Sequence, residues 1–183
     1  MSTIQSTLGS FSNSLEQQEY LDEVISETIY TDLQLAKQLQ EIQYSILDSS
    51  KNEQYELSYM LNKAFIQNQE YKYNESELTY LNAISVVEDI GSDELKASAY
   101  IDYAGTCFNL KKYDVAEMYL NKASTLMKDR ADDMSHAYIH CRRGHICLAL
   151  MDFPKAIEFF LKAEKIFLRK VKMKIKDLSL IHI

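Results

Sequence analysis

Small, aromatic and aliphatic residues return along this chain at a fixed interval of 40 positions. Ala64, Ala104 and Gly144 fall in line at that shift, and so do Tyr73, Tyr113 and Phe153. Ser76, Ala116 and Ala156 follow, then Tyr80, Leu120 and Phe160, then Ala83, Ala123 and Ala163. Val86, Leu126 and Ile166, with Val87, Met127 and Phe167, extend the match without a gap. Each period divides into two helices, A and B. In the stretch 91–130, helix A is predicted from Glu94 to Asn109 and helix B from Tyr113 to Lys128, joined by the short link Leu110-Lys111-Lys112. The small residues let two helix axes approach closely, and the aromatics beside them fill the adjacent grooves. Gly91 can close one helix, and Ser92 or Asp93 can cap the next. Asp152 is placed to cap the last helix B, with Pro154 in its first turn, where a missing N–H costs little.

One such pair cannot bury its apolar face alone, so stacked neighbours must complete the core, which defines a helical solenoid. The predicted organisation is a flexible leader at 1–13, a degenerate capping pair at 14–50, repeats at 51–90, 91–130 and 131–170, and the start of a further helix at 171–183. In the capping pair Leu33 and Ala36 keep the register, but Gln40 and Gln43 stand at apolar positions, which predicts a more polar outer face. The last run should enter a new helix near Asp177 and stops there, as a fragment or an altered end would. Its final residues, SLIHI, also resemble the translation of a sequencing adapter.

The run AYIDYAGTCFNLKKYDVAEMYLNKA resembles a tetratricopeptide repeat, through Ala104 and Gly105 at the small position, Tyr113 opening helix B, and Ala116, Leu120 and Ala123 along it. The run CRRGHICLALMDFPKAIEFFLKA is similar through Gly144, Phe153, Ala156, Phe160 and Ala163. The resemblance covers about residues 53 to 170, although the period is longer than the usual ~34 residues. It is similar in that respect to the arrays of bacterial peptide-pheromone receptors and of sensor modules attached to signalling enzymes. It implies an all-α, right-handed superhelix, an α-solenoid of antiparallel helix pairs, whose A helices line a concave groove.

Composition narrows the picture further. Four glycines and one proline in 183 residues are too few for a turn-rich β fold. Residues 1–150 carry 12 basic and 23 acidic groups, which opposes nucleic-acid binding by this segment. Residues 151–183 reverse the balance, with 8 basic and 4 acidic, so the C-terminal run is either a phosphate- or membrane-seeking strip or the solvated flank of a helix. Three cysteines without framework spacing imply reduced thiols and a cytoplasmic protein. The N-terminus has neither a basic n-region nor a long apolar core, so no signal peptide, membrane anchor or membrane partner is expected.

The resemblance places Ser58, Leu61, Asn62, Phe65 and Asn68, then Ser98, Ile101, Asp102, Gly105 and Phe108, then Tyr138, Cys141, Arg142, His145 and Leu148 toward the groove. Asn62, Asp102 and Arg142 recur at one register position, and the expected peptide site is Leu61, Asn62, Phe65, Ile101, Asp102, Phe108, Tyr138, Arg142 and His145. Asn and Arg side chains can satisfy a peptide backbone or a terminal carboxylate; the competing reading is an Asp102–Arg142 pair that merely knits two helices. A two-carboxylate clamp for chaperone tails is excluded, since its positions here read Leu61, Phe65, Asp102, Tyr138 and Arg142. Residues 136–147 gather three histidines and two cysteines. At 100° per residue, however, His136, His140 and Cys147 lie on one face and Cys141 and His145 on another, so packing is favoured over a metal site. With isolated glycines and no nucleophile elbow, no catalysis and no cofactor are expected. The chain therefore reads as a protein- or peptide-binding scaffold, the interaction or sensory segment of a larger bacterial signalling or regulatory protein. The alternative is a pheromone-type receptor segment that switches an attached output domain, and the unpaired C-terminal end offers a possible route to a homo-oligomer.

Overall fold

The computed structural model describes residues 2–50, 52–129 and 134–180, all in helices and short links, with no strand among them. The chain divides into two compact units, Met1–Ile90 and Gly91–Ile183. The first holds α1 (Ser2–Leu8), α2 (Ser14–Thr28), α3 (Leu33–Ser50), α4 (Glu53–Gln69) and α5 (Tyr73–Ile90). The second holds α6 (Asp93–Asn109), α7 (Tyr113–Leu126), α8 (Met134–Ala149) and α9 (Phe153–Leu180). Sequence neighbours pack as pairs: α2 with α3, α4 with α5, α6 with α7 and α8 with α9. Inside the first unit α4 also packs on α2 and α3, and inside the second α8 packs on α6 and α7. This is the all-helical repeat architecture that the 40-residue spacing implied.

The helix starts are set by side-chain caps. Asn13 Oδ1 accepts the Glu16 N–H at 2.9 Å, while the Glu16 carboxylate takes the Ser12 N–H at 3.0 Å. Ser92 Oγ caps α6 through the Leu95 N–H at 3.3 Å, and Asp152 caps α9 through the Lys155 N–H at 3.3 Å.

The A-to-B turns repeat as regularly as the core. Tyr71, Lys111 and Met151 have φ near +60°, each 40 residues from the last. Around each, two bonds close a Schellman motif: Lys112 N–H to Cys107 O and Lys111 N–H to Phe108 O, both 2.9 Å, with counterparts at 67–72 and 147–152. The left-handed residue is glycine in none of the three. The turn between α2 and α3 has no positive φ, the structural counterpart of that pair's weaker sequence match.

Within the pairs, helix contact is controlled by small residues. Ala64, Ala104, Ala83, Ala116 and Ala123 are buried, and Ser76 Oγ donates to the Ala64 carbonyl at 2.8 Å. Gly144 is the tightest case. A methyl there would come within 2.6 Å of the Phe160 ring, which occupies the register position of Leu120.

Several predicted boundaries are revised. The stretch 1–13 is not simply a leader, because α1 brings Leu8 into the core of Leu21, Ile25, Ile29, Ala36, Leu39 and Ile66. No new helix begins within 171–180, since α9 runs unbroken to Leu180; residues 181–183 lie outside the described residues. The capping pair is not polar on its outside at the expected positions: Gln43 is fully buried, and the Gln40 side-chain nitrogen is enclosed.

Met151→Gly should raise stability by about 0.5–1 kcal/mol, because an exposed side chain in the left-handed region costs about 1–2 kcal/mol and glycine's added chain entropy offsets only part of that. Chemical denaturation reads the change; a loss of stability would contradict it. Gly144→Ala should be destabilising by about 1–2 kcal/mol through overpacking, and Phe160→Leu should relieve it by recreating the Ala104–Leu120 pairing. A double-mutant cycle without favourable coupling would refute that account.

Candidate functional site

Helix A of each pair presents one polar residue at the same register position: Asp22 on α2, Asn62 on α4, Asp102 on α6 and Arg142 on α8. The first of these was missed by sequence reasoning. One more 40-residue step into the degenerate pair would have reached it.

In the first unit, Asp22 accepts hydrogen bonds from Asn62 Nδ2 at 3.2 Å and from Gln43 Nε2, and Ser58 supplies a third. Burial raises its pKa against the opposing effect of these three donors. Gln18, one turn before Asp22, is also fully buried and donates to the Gln43 carbonyl at 3.2 Å. Asn62 is therefore engaged inside the unit. Phe65 stands partly buried against the core, with its ring 5.1 Å from Tyr30, so it packs rather than lining an open surface. Leu61 is partly buried.

The second unit differs. Asp102 is partly buried, and among the described residues neither it nor Arg142 forms a hydrogen bond or ion pair. Desolvation pushes the Asp102 carboxyl up to about 6, opposed by the nearby positive charge of Arg142. The Arg142 guanidinium lies against Gly105, where an added methyl would stand 2.8 Å from Cζ and 2.9 Å from Nη2. Gly105 thus makes the room in which the guanidinium rests. Beside it, the exposed His145 ring bridges Phe108 at 6.1 Å and Phe160 at 5.2 Å, and Phe108 leans on Tyr113 at 5.7 Å. Burial and then Arg142 lower the His145 pKa, which keeps its imidazole neutral near pH 7. Cys141, partly buried, has its thiol pKa raised by burial.

Of the predicted groove residues in this unit, Asp102, Phe108, Arg142 and His145 come together. Ile101 does not: at 5% exposure it belongs to the core. Tyr138 is exposed and directs its ring toward Phe167 of α9 at 5.8 Å. The other histidines of the segment serve packing. His136 Nε2 lies 2.9 Å from the Met127 carbonyl, and His140 stacks on Phe159. Among the described residues no three His, Cys, Asp or Glu side chains are grouped to hold a metal ion, and no helix is long and apolar enough to cross a membrane.

Comparison of the chain with models of known families, with curated proteins and with solved structures returned no match.

The raised pKa of Asp102 carries a stability signature. Its folded value of about 6 lies above the ordinary 3.8, so folding favours the protonated form. The resulting stabilisation is complete below about pH 4 and is lost as pH rises through 6. Asp102→Asn should therefore gain about 1–3 kcal/mol over the parent chain at pH 7.5, with the gap closing by pH 4. Parallel denaturation curves across that range test this; a gap independent of pH would exclude it.

Proposed function

We propose that the chain is a tetratricopeptide-like scaffold that binds an extended segment of a partner protein on its A-helix faces, within a signalling or regulatory context and without chemistry of its own. The observation that carries this reading is the pairing of a carboxylate and a guanidinium, Asp102 and Arg142, each without a hydrogen-bond partner among the described residues and set beside the rings of Phe108, His145 and Phe160. A residue in extended conformation presents its N–H and C=O to the same side. Asp102 can accept that N–H, Arg142 can donate to that C=O, and the ring patch can receive the neighbouring apolar side chain. A pair meant only to knit α6 to α8 would be expected to close into an ion pair, and this one is open. In the first unit Asn62 is already committed to Asp22, which makes the second unit the stronger candidate.

A displayed library of random peptides should yield binders to the second unit's face. Their affinity should fall about 10–100-fold on Arg142→Ala, the loss of one or two charge-assisted hydrogen bonds. Gly105→Ala should weaken the same binders by displacing the guanidinium, while leaving stability unchanged or up to about 1 kcal/mol higher, since alanine favours the helix. Binders indifferent to both changes would remove the basis of this proposal.

A further inference from the structure

The orientation of the Arg142 guanidinium narrows what the second unit's face can accept. A methyl group on Gly105 would stand 2.8 Å from Cζ, 2.9 Å from Nη2 and 3.1 Å from Nη1. Near-equal distances to these three atoms put that point above the guanidinium plane, so the group lies face-down on α6. Its N–H bonds radiate within that plane, along the helix surface. Asp102 is on the same helix, one turn before Gly105. The carboxylate and the guanidinium do not close into an ion pair among the described residues, yet the positive charge of Arg142 acts on Asp102. An acceptor and a donor thus stand near one another with a gap between them, both only partly open to solvent.

Charge decides between classes of ligand. At neutral pH Asp102 is ionised and Arg142 is positive, whereas the neighbouring His145 imidazole and Cys141 thiol are neutral, so the pair carries no net charge. An ammonium or guanidinium ligand would be set against Arg142, and a carboxylate ligand against Asp102. A neutral group that donates on one side and accepts on the other satisfies both. A primary carboxamide does this with two atoms of one planar, terminal group. A hydroxyl has to do it through a single oxygen, which spans a narrower gap. A backbone amide offers the same two atoms as the carboxamide, but the side chains on either side of it hold it away from a partly buried recess.

We propose, resting on the peptide-binding reading, that this pair reads a glutamine or asparagine side chain of the partner segment: Asp102 accepts from the carboxamide nitrogen, Arg142 donates to its oxygen, and the Phe108 and His145 rings receive the apolar stem. Binders selected from a displayed random-peptide library against the intact chain should share Gln or Asn at one position. In synthetic copies of a binder, replacing that Gln by the isosteric Glu or by Met should each lower affinity about 10–100-fold at neutral pH, the loss of one or two hydrogen bonds to charged groups. Asp102→Asn should narrow the difference between the Gln and Glu peptides to about threefold or less, because the repulsion of Glu goes with the carboxylate, while the Met peptide stays weak. Binders that depend on Arg142 yet share no carboxamide, or share Ser or Thr instead, overturn this inference and leave the scaffold reading in place. So does a Gln–Glu difference that Asp102→Asn does not change. Binders indifferent to Arg142, or a library that yields none, remove the scaffold reading and this inference with it.

Discussion

Helix A and helix B of each repeat meet where nothing much larger than a methyl group fits, and the placement of every other side chain follows from that approach. Ala64 and Ala104 occupy the contact in two pairs, and Gly144 in the last, where Phe160 has grown into the space that Leu120 leaves open. The two sides of the contact are matched in volume, as close-packed interiors require. A fixed contact also fixes rotation. Once the small residue faces helix B, the residue two positions earlier in each A helix must face another way, and it is at that position that Asn62, Asp102 and Arg142 stand. That this register position faces away from helix B in each pair is thus a geometric consequence of the packing, whereas the identity of the residue there is not.

Much of this was legible because repetition amplifies weak signals. A single alanine or tyrosine says little, but the same type at three successive 40-residue steps marked the contact positions, and Ser92 and Asp152 cap the helices they were read as capping. What stayed hidden has physical reasons. The left-handed turn residues are Tyr71, Lys111 and Met151, and no glycine advertises them. The Schellman bonds around them offset the strain, so the backbone conformation is set by the helix ends it joins rather than by its own propensity. Gln43 appeared to be a surface residue because glutamine usually is; it is buried, with its side-chain nitrogen donating to Asp22 and its backbone carbonyl accepting from Gln18. Ile101 and Phe65 were assigned to a groove on register alone, and register cannot tell a lining position from one that the adjoining helix covers.

The same packing bears on the competing accounts of Asp102 and Arg142. Were the pair there to hold α6 to α8, the cheapest arrangement would be a closed ion pair, with the carboxyl pKa drawn below its ordinary range. Instead desolvation outweighs Arg142 and raises that carboxyl to about 6, so the ionised form costs stability at neutral pH. Asp22 also lies in a desolvated setting, but its three donors offset much of the cost from within. The first unit therefore satisfies its carboxylate internally, whereas in the second neither the carboxylate nor the guanidinium has a hydrogen-bond partner among the described residues. A partly buried charge that its neighbour offsets only in part lowers the stability of a marginally stable fold. On that ground the position of Arg142 on Gly105, rather than the histidines and cysteines around it, is the chemically informative feature of residues 136–147.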